Sequence, residues 1–256
     1  MVEARPGGNA NIAADFVARA NPDGHTLLAT TTFVVSNPIV DSSTRWAARD
    51  LVPVSAFSQS HAYLMVPANS PAKTVREFAD MAKKAKPILQ FADGGPGTST
   101  TMAFELLKKS AGIQLEPIAY KGAPPAMTDL ANGLLTVAIF PGQVAGPQIG
   151  SGKLRALAIL GNVRSAQFRN LPTIAEAGYP DVTTLTWLGL HAPRGTPADV
   201  LARLDGAVQV ATRSDAVKTR IANTGGDVNY MSTAQFATIL VGETQRWEAF
   251  ARAAAK

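Results

Sequence analysis

The sequence contains no cysteine. Disulfides and thiolate metal sites are therefore excluded, and the chain suits either the cytosol or a periplasm. It also lacks any apolar run long enough to cross a bilayer, and residues 1 to 20 show neither the basic start nor the apolar core of a secretory signal. Low-complexity linkers are missing too. The 17 prolines and 21 glycines are spread along the chain, which is the texture of many short elements in a globular α/β protein.

Signatures of catalysis are equally sparse. His25, His61 and His191 lie far apart with no carboxylate pattern beside them, and Ser99 is not inside a Gly-x-Ser-x-Gly elbow. Asp93, Glu105, Glu116 and Asp129 have no spacing that suggests a paired acid and base; helix-face or capping charge explains them better. No metal or cofactor is expected. The net charge of +5 suits nucleic acid, an anionic membrane surface or small anionic ligands. Its distribution argues against nucleic acid, because no aromatic residues interleave with Lys83, Lys84 and Lys86 or with Lys108 and Lys109, and no nucleic-acid motif is present.

What is present is length and alternation. With 256 residues, 46% of them hydrophobic, the chain can fold as one large domain or two small lobes. Residues 11 to 20 read as helix and 26 to 30 as a short buried strand that empties into a polar loop, Thr30 to Phe33. Extended chain is expected at 52 to 54 and 63 to 66. Thr74-Val75-Arg76-Glu77 has the spacing of a capping box and opens a helix. Strands near 88–92, 117–120, 136–140 and 154–160 then alternate with helices at 100–110 and 125–131, which predicts parallel sheet with helices on its faces. Beyond the extended stretch Trp187 to Leu190 the chain reads as mainly helical, with starts at Thr196-Pro197, Ser214-Asp215 and Ser232-Thr233. The last helix turns Phe236, Leu240, Trp247 and Phe250 toward a core. The spacing Pro-x-x-(Ser/Thr)-Pro-Ala occurs at Pro67 and again at Pro193, either as generic turn chemistry or as one junction in each of two similar lobes.

The turn Asp93-Gly94-Gly95-Pro96-Gly97-Thr98-Ser99-Thr100 follows a strand and opens a helix. Gly95 and Gly97 permit close approach to the backbone, free N–H groups and the helix dipole attract an anion, and Thr98, Ser99 and Thr100 supply hydroxyls. A tight turn with an ordinary helix cap is the alternative. A nucleotide-binding loop is not expected, since no Gly-Lys-Ser/Thr follows. Tyr120 and Lys121 end another strand, where Lys121 is either a carboxylate partner or a solvated lysine. Thr31 and Thr32, at a third strand end, are either ligand-facing or simply good strand formers.

These residues carry a family resemblance. Arg5-Pro6-Gly7-Gly8-Asn9, Pro22-Asp23-Gly24-His25-Thr26-Leu27-Leu28, Gly97-Thr98-Ser99, Tyr120-Lys121-Gly122, Gly152-Lys153-Leu154-Arg155-Ala156-Leu157-Ala158, Leu171-Pro172-Thr173-Ile174-Ala175-Glu176-Ala177-Gly178 and Trp187-Leu188-Gly189-Leu190, in this order, resemble the Bug-type substrate-binding proteins of tripartite tricarboxylate transporters. The resemblance covers the chain nearly end to end. It implies a two-lobed, type II periplasmic-binding-protein-like α/β fold with parallel or mixed sheets, lobe I being 1–62 with 189–256 and lobe II 63–188. It further implies a periplasmic monomer that captures a small carboxylate, a di- or tricarboxylate or an aromatic acid, for a membrane permease, with no nucleic acid and no membrane insertion of its own.

By the same resemblance the ligand is held by Thr31, Thr32, Gly95, Gly97, Thr98, Ser99, Tyr120, Lys121 and Phe140. Two departures from the family pattern bear on this. A signal peptide, a first strand and a glycine-rich ligand loop lie upstream of the Arg5 segment in the family, so the first-lobe sheet is expected to lack its N-terminal strand. Pro141 stands where the family often has Asp after Phe, which favours amine-free carboxylates. The competing readings are a small hydrolase or lyase using Ser99, and a truncated remnant that binds nothing.

Overall fold

The computed structural model describes residues 1–95, 97–120, 122–161, 164, 168–184, 186–223 and 226–254. Along the chain these form α1 (Asn11–Ala18), β1 (Leu28–Thr30), α2 (Phe33–Val40), β2 (Leu51–Ser60), β3 (Ala62–Pro67), α3 (Val75–Lys84), β4 (Leu89–Asp93), α4 (Ser99–Ala111), β5 (Leu115–Ala119), α5 (Ala123–Ala131), β6 (Ala138–Pro141), α6 (Gly142–Gly150), β7 (Leu154–Ile159), β8 (Thr186–Pro193), α7 (Ala198–Arg213), α8 (Asp215–Asn223), β9 (Asp227–Met231) and α9 (Thr233–Ala254). The chain divides into two compact units. One comprises Met1–Gln59, Trp187–Ala222 and Asp227–Lys256; the other comprises Ser60–Thr186 and Asn223–Gly226.

The first unit is built on a four-stranded sheet of order β1-β8-β2-β9, with β1 antiparallel to β8 and β2 antiparallel to β9. Strand periodicity puts Trp187, Gly189 and His191 on one face of β8. Phe236 of α9 packs edge-on against Trp187 and His191, with ring centroids 4.8 and 5.3 Å away. Gly189 is what admits it, because a Cβ there would stand 2.5 Å from the Phe236 ring. His191 is buried, and burial pushes its pKa down to about 3. Its Nδ1 lies 2.9 Å from the Thr30 hydroxyl. Within the same unit the buried Asn37 side chain donates to the Asn9 carbonyl (2.7 Å) and the Asn11 side-chain oxygen (3.0 Å), tying the glycine-rich entry of α1 to α2.

In the second unit β3 is buried along its whole length and runs antiparallel to β6 on one side and β7 on the other. The parallel pair β4–β5 extends this sheet, joined to the chain entering β6 by Thr136 N–H to Gln90 O (3.1 Å) and Ala92 N–H to Val137 O (3.3 Å). The strand order is thus β5-β4-β6-β3-β7. Fully buried Phe78, Phe91, Phe104 and Leu107, from α3, β4 and α4, form the core against it. The predicted cap of α3 is present: the Thr74 hydroxyl accepts from Glu77 N–H at 3.1 Å. Glu77 reaches back one residue further than a capping box requires, to the N–H of Lys73 (2.6 Å).

The sheets are mixed rather than parallel throughout. Alternating strands and helices predict that helices separate the strands, but not the order in which strands pair, and β3 lies between β6 and β7 against the direction of both. Three elements differ from the sequence reading. The polar loop ending at Phe33 runs directly into α2, which carries Pro38 inside it; α6 contains Gly146 and Pro147; and β9 is a polar strand within the mainly helical C-terminal part. Low helix propensity conceals the two helices, and tertiary packing supplies what their sequences do not.

Candidate functional site

The turn between β4 and α4 is organised by its own side chains. Gly95 and Gly97 have φ of 94° and 84°, values that a residue with a Cβ adopts only under strain. Asp93 accepts hydrogen bonds at one carboxylate oxygen, Oδ1, from Gly95 N–H (3.1 Å) and from the Thr101 hydroxyl. Thr98 is the N-cap of α4: its hydroxyl oxygen accepts from Thr101 N–H at 3.3 Å. The same hydroxyl lies 3.0 Å from Gly95 O, 2.7 Å from the Thr101 hydroxyl and 3.1 Å from the Thr100 hydroxyl. A hydroxyl has one proton to give. With Thr101 donating to Asp93 and Thr98 donating inward, Thr100 is the hydroxyl of this chain that remains able to donate outward.

Beside the turn lies a cavity of about 250 Å³ at the C-terminal ends of β4, β5 and β6, lined by Asp93, Gly94, Thr98, Thr100, Tyr120, Gly122, Ala123, Phe140 and Pro141, with Ala92, Ala126 and Ile139 as apolar wall. Three helices begin there: α4 after Thr98, α5 after Gly122 and α6 after Pro141. None has an acidic residue in its first turn. The positive ends of their dipoles therefore act on the cavity uncompensated from within the helices. At the start of α4 the N–H groups of Ser99 and Thr100 have no helical acceptor, as at any helix start. At α5, Pro124 and Pro125 have no N–H, so Ala123 supplies the unpaired donor of the first turn. Gly122 precedes it with φ 100° and provides no side-chain cap.

Tyr120 closes another side. Its hydroxyl donates to Asp129 at 2.6 Å. That hydrogen bond, with burial and the negative charge of Asp129 adding to it, pushes the phenol up to about 12, so Tyr120 stays neutral and its oxygen faces outward only as an acceptor. The cavity thus combines apolar walls with a few convergent donors, the composition of a small-molecule site. Its volume sits just below the usual range of roughly 300–1,000 Å³, which suits a ligand of a few carbons.

Of the residues singled out from sequence, Thr98, Tyr120 and Phe140 line this cavity together. Gly95, Gly97 and Ser99 belong to the same turn without lining it. Thr31 and Thr32 lie in the other unit, where their carbonyls accept the first N–H bonds of α2. Lys121 lies outside the described residues. Thr100, whose hydroxyl the sequence reading names with those of Thr98 and Ser99, lines the cavity too, whereas that reading gives no place in the wall to Asp93 or to the α5 start at Gly122-Ala123. The signal for the last was the Gly-Ala-Pro-Pro run itself, a glycine before a proline-initiated helix.

A larger hollow of about 610 Å³ lies at the opposite end of the sheet, where β3 ends and β7 begins, with Arg155, Phe168 and Arg169 among its walls. Among the described residues no helix starts converge on it. Arg155 is occupied in holding the turn after β3 through Ser70 O (2.8 Å) and Ala72 O (3.3 Å). As for catalysis, no hydrogen bond joins Ser99 to a histidine or an acid among the described residues. No group of three or more metal-ligating side chains occurs among them either.

Residues 1–255 match the sequence profile of the tripartite tricarboxylate transporter family receptor. The chain belongs to this receptor family. It is 29% identical to the protein BugT of Bordetella pertussis over 255 residues, 98% of this chain and 78% of that protein. Among solved structures it is similar to Rpa4515 of R. palustris with adipate (TM-score 0.88, 28% identity, 98% of this chain and 85% of that one). It is similar also to MatC of Rhodopseudomonas palustris with bound malate (TM-score 0.81, 27% identity, 96% and 85%). The receptor fold is that of the periplasmic solute-binding proteins, and the family and its structural neighbours are receptors rather than enzymes.

Proposed function

We propose that this receptor binds a small carboxylate in the cavity at the starts of α4, α5 and α6, working in the periplasm as a monomer and passing its ligand unchanged to the membrane permease of a tripartite transporter. The observation that carries the proposal is the convergence of three helix starts, none neutralised by an acid in its first turn, on one small cavity with apolar walls. In this reading Thr100 and Ala123 give N–H groups to the carboxylate, Thr100 adds its hydroxyl, and Tyr120 and Phe140 enclose the ligand body. Gly95, Gly97 and Thr98 hold the turn in shape. The adipate and malate of the two structural relatives belong to the same chemical class.

The test is a thermal-shift screen of mono-, di- and tricarboxylates. A ligand that binds only the folded chain stabilises it by mass action, by about 2.7 kcal/mol at one hundred times Kd. At least one acid is expected to raise the melting temperature in a saturable way. A folded protein that no acid in the panel stabilises contradicts the proposal.

A further inference from the structure

Asp93 is the one charged residue among the described residues that line the cavity. A carboxylate is an unexpected group where three helix starts favour an anion, and the turn does not need its charge. Thr98 already caps α4, and the two bonds that Asp93 Oδ1 accepts, from Gly95 N–H and the Thr101 hydroxyl, could be accepted by an uncharged serine or asparagine. The second oxygen, Oδ2, has no hydrogen bond or ion pair among the described residues. An ionised carboxylate only accepts hydrogen bonds. It repels a ligand carboxylate placed against it and attracts an O–H or N–H.

Building on the carboxylate-receptor reading above, we propose that Asp93 selects among carboxylates for those carrying a hydrogen-bond donor, a hydroxyl or an ammonium, close to the bound carboxyl group. Asp93 and the start of α4 are the two ends of one short turn. A carboxylate held on the Thr100 N–H group therefore brings the substituents of its neighbouring carbons toward Oδ2. Thr101 keeps the selector in place, since its hydroxyl fixes Oδ1 and leaves Oδ2 as the acceptor on offer.

Calorimetric titration with matched acids tests this: propionate, lactate and alanine; succinate, malate and aspartate; glutarate, 2-hydroxyglutarate and glutamate. In each set the carbon skeleton is constant and only the donor changes. In whichever set binds, the hydroxy or amino acid is expected to bind about tenfold or more tightly than its plain parent, the size of one hydrogen bond to a charged group. The hydroxy and amino arms identify the donor. Asp93→Asn keeps an acceptor for Gly95 and Thr101 and is expected to abolish the preference, as is Asp93→Ser, with circular dichroism confirming that each variant is folded. A plain acid that binds the wild type as well as its donor-bearing partner, or a preference that survives both substitutions, overturns the selection and leaves the carboxylate site standing. Failure of all nine acids, and of the wider screen, overturns both.

Discussion

Thr101 gives its hydroxyl proton to the carboxylate of Asp93, eight residues earlier, and so closes the glycine turn between β4 and α4 into a ring of side-chain hydrogen bonds. The backbone geometry at Gly95 and Gly97 depends on that ring. Thr101→Val keeps the shape of the side chain and deletes the donor to Asp93. Loss of such a bond costs about 1–3 kcal/mol when it leaves a partly buried partner unpaired. Urea denaturation is expected to show a loss in this range, and ligand affinity is expected to fall with it.

Gly122 tests the second helix start. Its φ of 100° is open to glycine, and an added Cβ would be 3.8 Å from Pro124, so a substitution meets backbone strain rather than a clash. Gly122→Ala is expected to cost about 1–3 kcal/mol, because φ 100° with ψ 173° is backbone essentially reserved for glycine, and to weaken carboxylate binding by moving the Ala123 N–H. Titration calorimetry with a bound acid measures both consequences if it is paired with a melting curve.

Tyr120 is held protonated by its bond to Asp129. A tyrosine whose pKa is raised in the folded chain contributes stability that is complete below the unfolded value of 10 and is lost as pH rises toward about 12. Ultraviolet titration is expected to show a late-ionising tyrosine in the wild type that Tyr120→Phe removes. A spectrum in which the variant loses only a tyrosine of ordinary pKa contradicts the arrangement.

His191 gives the opposite pH dependence. Burial holds its pKa near 3, below the unfolded value of about 6.5, so the unfolded chain binds the proton more readily. Its neutral form stabilises the fold fully above pH 6.5, and that stability is lost as pH falls from 6.5 toward 3, by up to about 1.4 kcal/mol per pH unit. Denaturant midpoints measured between pH 7 and pH 5 are expected to fall in the wild type and to be flatter in His191→Gln, which retains a partner for Thr30.

How much of this was legible beforehand follows from which residues carried the signal. The α3 cap was readable at Thr74 and Glu77 because capping is local chemistry. The α4 turn was readable at Gly94 to Ser99 for the same reason. The role of Thr98 was not, since whether a hydroxyl faces a ligand or an inner ring depends on Asp93 and Thr101, and only the folded turn brings these together. Asp93 read as a routine capping charge; its place in the cavity wall comes from the side-by-side pairing of β4, β5 and the chain entering β6, which is long-range. The pairing of β3 against its neighbours was hidden too, because a strand buried on both faces has the same apolar run in either direction.

The central claim is that carboxylates bind on the backbone N–H groups at the starts of α4 and α5, and amide resonances of isotope-labelled protein report on those groups directly. Titration with an acid that gives a thermal shift is predicted to move the Thr100 and Ala123 amides along one saturable curve with the calorimetric Kd. Saturable binding that leaves those two amides unmoved would contradict it.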